Sequence, residues 1–117
     1  MTQYDIPLAA PDISDEDIAA VVAVLKTSRL SLGAKLEEFE QKFAAYTGAK
    51  HAIAVSSGTA ALHLCVRALD IKEGDEVITS PFSFIASANC ILFEKATPVF
   101  VDILPDTLCI DPVLIEA

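Results

Sequence analysis

The sequence has no tryptophan and little positive charge. Only 8 of its 117 residues are Lys or Arg, against 17 Asp or Glu, so the net charge is −9 at pH 7. Such a chain lacks the positive surface that binding to nucleic acid or to an anionic membrane requires. No apolar run approaches the roughly 20 residues of a membrane helix, and no basic segment followed by an apolar one opens the chain. We therefore expect a soluble, cytoplasmic protein without nucleic-acid or membrane partners.

Cysteine and histidine are also scarce. Cys65, Cys90 and Cys109 are odd in number, no two have C-x-x-C spacing, and each lies among apolar neighbours. This pattern predicts buried free thiols in a reducing compartment, with neither a disulfide nor a metal site. His51 and His63 stand alone, so we predict neither as a catalytic or metal-binding residue.

The first half of the chain predicts two amphipathic helices. One runs over about 14–26, where Ser14 is a plausible N-cap and Asp17 supplies the reciprocal partner of a capping box. The other runs over about 35–46, and Gly48 occupies the position of a C-terminal cap.

The second half predicts alternating strands and helices. Short apolar runs at 51–55, 76–80 and 98–102 are separated by stretches of helical length at 60–69 and about 83–93. Strands that alternate with helices are typical of parallel sheets with right-handed crossovers. The chain is therefore expected to have an α/β fold of β-α-β-α-β order, preceded by two helices.

The two ends of the sequence are less regular. Residues 1–13 predict an irregular arm with two prolines, and Asp111-Pro112 is typical of a helix start. The apolar pattern after Pro112 covers barely one turn, and three parallel strands leave unpaired sheet edges. We expect residues 1–117 to be the incomplete N-terminal portion of a single larger domain.

A small-residue turn follows the first predicted strand. In Ser57-Gly58-Thr59 the turn opens a helix, where unpaired backbone N–H groups and the helix dipole favour an anion such as a phosphate. The turn lacks the sequence of a nucleoside-triphosphate loop and the G-x-G-x-x-G of a dinucleotide site. A plain connection between strand and helix remains the alternative.

A second candidate segment follows the next predicted strand, so it should lie at the same edge of the sheet. Phe82 and Phe84 are aromatic residues at the strand end, where one of them could stack on a flat ring or both could belong to the core. Asp102 ends the third predicted strand and either touches a ligand or caps the following turn. No lysine follows a strand at this edge, so we predict none as a nucleophile.

Several motifs in order resemble the DegT/StrS family of pyridoxal-phosphate-dependent sugar aminotransferases, over essentially the whole chain from about residue 5. The motifs are Ile6-Pro7-Leu8, Arg29-Leu30-Ser31-Leu32-Gly33, Phe39-Glu40, Ser57-Gly58-Thr59-Ala60-Ala61-Leu62-His63-Leu64, Gly74-Asp75-Glu76-Val77-Ile78, Ser83-Phe84-Ile85-Ala86-Ser87-Ala88-Asn89 and Pro98-Val99-Phe100-Val101-Asp102. The resemblance implies the aspartate-aminotransferase fold, of which this chain would be the N-terminal part of the large domain.

The resemblance also implies site residues. It assigns binding of the cofactor, pyridoxal 5'-phosphate (PLP), to Ser57, Gly58, Thr59, Phe84 and Ser87. It assigns substrate binding to Arg29, Ser31 and Gly33. Family members hold the cofactor through a Schiff-base lysine that lies downstream of these motifs, so no catalytic residue is expected in this chain and no metal is implied.

The implied reaction transfers an amino group, usually from glutamate, to a keto sugar attached to a nucleotide, in a homodimer. Without the lysine, we expect the 117-residue chain alone to be inactive. Two alternatives remain open: a PLP-dependent sugar dehydratase of the same family, and a truncated, non-catalytic binding module.

Overall fold

A computed structural model describes residues 9–116 of the chain. The motif at residues 6–8, and most of the arm predicted over 1–13, lie outside this range. The chain divides between Ala54 and Val55 into two compact units. Over the described residues, no helix is long and apolar enough to cross a membrane.

The first unit contains two helices, α1 (Asp15–Leu25) and α2 (Ala34–Thr47). Ser14 caps α1: its hydroxyl accepts the Asp17 N–H, and the Asp17 carboxylate accepts the Ser14 N–H, which completes the predicted capping box. The Ser14 hydroxyl also donates to the Asp17 carboxylate at 2.9 Å, and the hydrogen bonds that this carboxylate accepts, from the Ser14 backbone N–H and then from the hydroxyl, lower the pKa of Asp17. Gly48 ends α2 in the left-handed conformation, φ 71°, as predicted.

An ion-pair cluster lies on the exposed face of α2. Lys35 and Lys42 both donate to the Glu38 carboxylate from one turn before and one turn after it. The hydrogen bonds from Lys35 and Lys42, together with their charges, lower the pKa of Glu38 to about 2. Neither α1 nor α2 contains a buried residue.

The second unit holds a two-stranded parallel sheet and two helices. Its elements are α3 (Gly58–Ala68), β1 (Glu76–Thr79), α4 (Ala86–Leu92), β2 (Thr97–Phe100) and a short 3-10 helix (Pro112–Ile115). The strands pair in register from Glu76 opposite Thr97 to Thr79 opposite Phe100. Helix α4 packs against α3 and both strands, and the core gathers around its buried Cys90 and Ile91. Asp111 caps the 3-10 helix by accepting the Val113 N–H, as its sequence predicts.

The α/β class is confirmed, but the strand predicted over 51–55 is wrong in this structure. The segment has no regular secondary structure, although its residues alternate between exposed and half-buried as in a strand. A strand needs a neighbour that accepts its N–H groups. Here the Ala54 N–H donates instead to the Glu40 carboxylate, at 2.8 Å.

Smaller differences concern α4 and the thiols. Helix α4 begins at Ala86 rather than near residue 83, because the Ser87 N–H makes an i→i−3 bond to the Phe84 carbonyl. All three cysteines are free, but only Cys90 is buried. The prediction of burial is wrong for Cys65 and Cys109. Cys65 is exposed because α3 packs on the core through the adjacent Val66, about 100° further around the helix.

Candidate functional site

Helix α3 begins with two backbone donors that have no acceptor in the described part of the chain. Ser57 is its N-cap, and the Ser57 hydroxyl accepts the Ala60 N–H at 3.1 Å. The Ala61 N–H then makes the first helical bond, to the Ser57 carbonyl. Within residues 9–116, no acceptor lies in reach of the N–H groups of Gly58 and Thr59, or of the Thr59 hydroxyl. The turn therefore presents three free donors where the helix dipole is positive.

The start of α3 faces the start of α4 across a groove. Its volume is about 320 Å³. The residues that line it are Gly58, Thr59, Leu62, Ser83, Phe84, Ala86 and Ser87. Four of the five predicted cofactor-binding residues thus meet at one place in the second unit. The fifth, Ser57, does not line the groove, and its hydroxyl oxygen caps α3.

The opposite wall of the groove carries an exposed aromatic ring. Phe84 is 76% exposed, so it does not belong to the core formed by residues 9–116, and its stacking on a ring stays a prediction. The Ser87 hydroxyl donates to the Phe84 carbonyl at 2.8 Å. This bond uses the one proton of the hydroxyl, so Ser87 fixes the backbone of Phe84 and offers lone pairs to a ligand.

Gly58 leaves the groove open. A Cβ built at this position meets no atom within 4 Å, and Gly58 is not among the glycines with positive φ. The chain itself therefore does not need glycine here for its own packing or backbone geometry. The open space lies where a ligand would approach the free N–H groups, which fits the close approach that an anion requires.

None of the seven residues lining the groove is charged. A phosphate at this position would be held by neutral donors and by the helix dipole rather than by a basic side chain. Over the described residues, no cluster of His, Cys, Asp and Glu could hold a metal ion. The Asp102 carboxylate accepts the N–H of the next residue, Ile103, at 2.8 Å, and this local bond does not reach the 104–107 turn that Asp102 was predicted to cap.

The predicted substrate-binding residues lie in the first unit, on the loop between α1 and α2. Arg29 and Gly33 line a pocket of about 720 Å³, and Ser31 does not line it. A Cβ at Gly33 would come within 3.0 Å of the Arg29 carbonyl oxygen. A side chain at position 33 would therefore be crowded by this backbone oxygen. The Thr27 hydroxyl bonds to the carbonyls of Val24 and Arg29 and fixes the loop from its other side.

Sequence reasoning missed three lining residues of the groove and one polar contact beside it. Leu62 could have been found, because it follows Gly58 by four positions and so shares its helix face. Ser83 and Ala86 carry no local signal. The contact joins His63 to Glu94, 31 residues apart, and no spacing rule predicts it.

The comparisons with known proteins agree with this geometry. The sequence model of the DegT/DnrJ/EryC1/StrS aminotransferase family matches residues 11–117. The chain belongs to this family. The match covers both units and every predicted site residue.

Relatives with known names are longer than this chain. The spore coat polysaccharide biosynthesis protein SpsC of Bacillus subtilis is 52% identical over 112 residues, which is 96% of this chain and 29% of SpsC. Spr1654 of Streptococcus pneumoniae, described as a sugar aminotransferase and solved in its PLP form, superimposes with a TM-score of 0.91 at 39% identity, covering 97% of this chain and 29% of Spr1654.

PseC of Helicobacter pylori, an aminotransferase involved in pseudoaminic acid biosynthesis, superimposes with a TM-score of 0.82 at 35% identity, covering 91% of this chain and 29% of PseC. The structures of Spr1654 include forms with PLP and with pyridoxamine phosphate (PMP). The structural neighbours are therefore PLP-dependent aminotransferases, and the chain spans about 29% of the length of these relatives.

Proposed function

We propose that this chain forms the phosphate- and ring-binding part of a PLP-dependent aminotransferase that acts on a nucleotide-linked keto sugar. The observation that carries the proposal is the pair of free N–H groups of Gly58 and Thr59, which open onto the same groove as Phe84 and Ser87. Family membership and the PLP forms of the structural neighbours support the choice of cofactor.

In this proposal the start of α3 binds the cofactor phosphate. The N–H groups of Gly58 and Thr59 donate to phosphate oxygens, the Thr59 hydroxyl adds a third donor, and Ser57 keeps the first turn of the helix in place. Hydrogen bonds to a charged group are worth about 1.5–3 kcal/mol each, so two or three of them suffice without a basic side chain. Such local donors also offset the net charge of −9 on these 117 residues, which disfavours an anion.

The ring of Phe84 sets the plane of the pyridine ring in this proposal. Bound PLP supplies an electron sink and a carrier for the amino group. Phe84 stacks on one face of the ring, and the Ser87 hydroxyl holds the Phe84 backbone in place. Stacking and phosphate binding together fix the cofactor at both ends, which is what an orienting site must do.

Substrate recognition is assigned to the loop that contains Arg29, Ser31 and Gly33. The Arg29 guanidinium can bind the phosphate groups of a sugar nucleotide with two parallel hydrogen bonds, and the pocket beside it has a volume of about 720 Å³. The names of SpsC and PseC, which refer to polysaccharide and pseudoaminic acid biosynthesis, support a sugar substrate. We propose glutamate as the amino donor and a cytoplasmic homodimer as the working form.

The test uses this chain alone and an SpsC chimera, defined as SpsC whose 112 matched residues are replaced by those of this chain. Glutamate should convert PLP to PMP in the chimera, seen as loss of the PLP absorbance, and should not do so with the chain alone. In both proteins PLP should bind more tightly than pyridoxal, which lacks the phosphate. Equal affinity for PLP and pyridoxal would refute the assignment of the groove to the phosphate, and a chimera unable to react with glutamate would refute the assignment as an aminotransferase.

A further inference from the structure

A polar cluster joins α3 to the chain just after α4. His63 Nε2 lies 2.5 Å from Glu94 Oε1, and Arg67 Nη1 lies 3.7 Å from the same oxygen. A carboxylate only accepts hydrogen bonds, so His63 Nε2 carries the proton of this bond. The His63 ring also packs edge-on against Phe93, with the centroids 5.1 Å apart.

The two partners of the short bond are much less exposed than the third member. The side chains of His63 and Glu94 are 28% and 17% exposed, whereas Arg67 is 68% exposed. Removing most of the water around a carboxylate costs free energy unless the carboxylate accepts hydrogen bonds from the protein. The folded chain therefore favours the geometry in which the His63–Glu94 hydrogen bond is kept. Arg67 is solvated, so its longer contact adds little.

The cluster lies along the same two helices that form the groove. His63 follows Thr59 by four residues on α3, so both lie on the helix face that packs toward α4. Glu94 lies just past the end of α4, in the turn that follows Leu92, whereas Ser87 lies near the start of α4 at the groove. The groove occupies the starting ends of α3 and α4, and the His63–Glu94 bond joins α3 to the turn just after the end of α4.

We propose that the His63–Glu94 hydrogen bond is a positioning device for the cofactor groove. It fixes α3 against α4, and thereby sets the distance between the N–H groups of Gly58 and Thr59 and the ring of Phe84. The proposal rests on the assignment of the groove to PLP. Without the bond, α3 can slide or rotate on α4, and the phosphate donors and the stacking ring no longer match a cofactor of fixed length.

The test measures the ratio of the affinities for PLP and pyridoxal, on the chain and on the SpsC chimera, well below the unfolding temperature. His63→Leu keeps an apolar contact with Phe93 but removes the donor, and should lower the ratio about tenfold, within the range usual for coupled sites. His63→Gln places an amide donor near the position of Nε2 and should restore the ratio. Arg67→Gln, the matched control on the same carboxylate, should leave it unchanged.

The circular dichroism of bound PLP gives a second readout, because it reports how the ring is held. His63→Leu should change this signal and His63→Gln should restore it. The proposal is overturned if His63→Leu lowers only the melting temperature and keeps the wild-type affinity ratio and the wild-type spectrum. His63 would then have a purely structural role. If His63→Leu does not fold, Glu94→Leu takes its place, with Glu94→Gln as the variant that keeps the hydrogen bond and should bind like the wild type. A wild-type protein that does not distinguish PLP from pyridoxal would instead refute the assignment of the groove itself, so the two failures are separable.

Discussion

Replacing Gly58 by alanine should affect the stability of the fold and the affinity for PLP in opposite directions. The new methyl group meets no protein atom within 4 Å, and the backbone at Gly58 does not have a positive φ. Alanine restricts the unfolded chain more than glycine does, so the free energy of unfolding should stay the same or rise by about 0.4–1 kcal/mol. The protein without cofactor should therefore melt at the wild-type temperature or slightly above it.

The affinity for PLP should move in the opposite direction. Gly58 lines the groove and a Cβ there meets open space, so we expect the methyl group to obstruct a phosphate at the N–H groups of Gly58 and Thr59. Loss of one hydrogen bond to a charged group costs about 1.5–3 kcal/mol. Because each 1.4 kcal/mol is a factor of ten, the Kd for PLP should rise roughly 10- to 150-fold, while the Kd for pyridoxal should change little.

Gly74→Ala provides the matched control. Gly74 has φ 96° in the turn before β1, where an alanine side chain is strained, and it lies outside the groove. This variant should lose stability by about 1 kcal/mol and keep the wild-type preference for PLP over pyridoxal. Titration by absorbance and thermal melting measure both quantities. The reasoning is refuted if Gly58→Ala binds PLP as tightly as the wild type, or if it loses as much stability as Gly74→Ala.

Three further predictions concern other parts of the chain. Ser14→Ala removes the hydroxyl that accepts the Asp17 N–H, keeps the backbone N–H of residue 14, and should destabilise α1 by about 1 kcal/mol, measured by amide hydrogen exchange in that helix. The Glu38 carboxyl should titrate near pH 2 by NMR, and Lys35→Gln should raise that pKa. Because the pKa in the folded protein lies below the ordinary value of 4.5, the cluster stabilises the fold above pH 4.5. This stabilisation is lost as the pH falls toward 2. Phe84→Ala should weaken PLP binding by about 0.5–1.5 kcal/mol, whereas Phe82→Ala, an exposed aromatic that does not line the groove, should not; equal effects of the two would count against stacking.

Helix ends were the features best predicted from the sequence. Ser14 caps the start of α1 and Gly48 ends α2, as predicted, because each acts within three or four residues of itself in the sequence. The same holds for Asp111 before the 3-10 helix. Ser57 also caps a helix, but the role predicted for it was cofactor binding. The motifs of the family added the site residues, whose roles in binding stay predictions.

Contacts between distant parts of the chain could not be predicted in this way. The His63–Glu94 bond spans 31 residues and depends on how α3 packs against α4. The alternation of 51–55 indicates a strand, but periodicity reports which side chains turn inward, not which group accepts each N–H. The Glu40 carboxylate is the acceptor for the Ala54 N–H, and a local sequence pattern cannot show that a side chain 14 residues away takes the place of a neighbouring strand.

The sequence predicts that the turn at Ser57-Gly58-Thr59 and the segment around Phe84 lie close together. The structure brings Gly58, Thr59 and Phe84 together, but only part of the reasoning behind that prediction holds. The expectation was that residues 51–55 and 76–80 lie in one sheet, so that the turns after them share an edge. Residues 51–55 form no strand, yet Gly58 and Phe84 line the same groove. Packing of α3 along α4 is sufficient to bring their starting ends together. It follows that the geometry of the groove depends on the contact between these two helices, and we propose that the half-buried hydrogen bond from His63 on α3 to Glu94 just after α4 holds that contact.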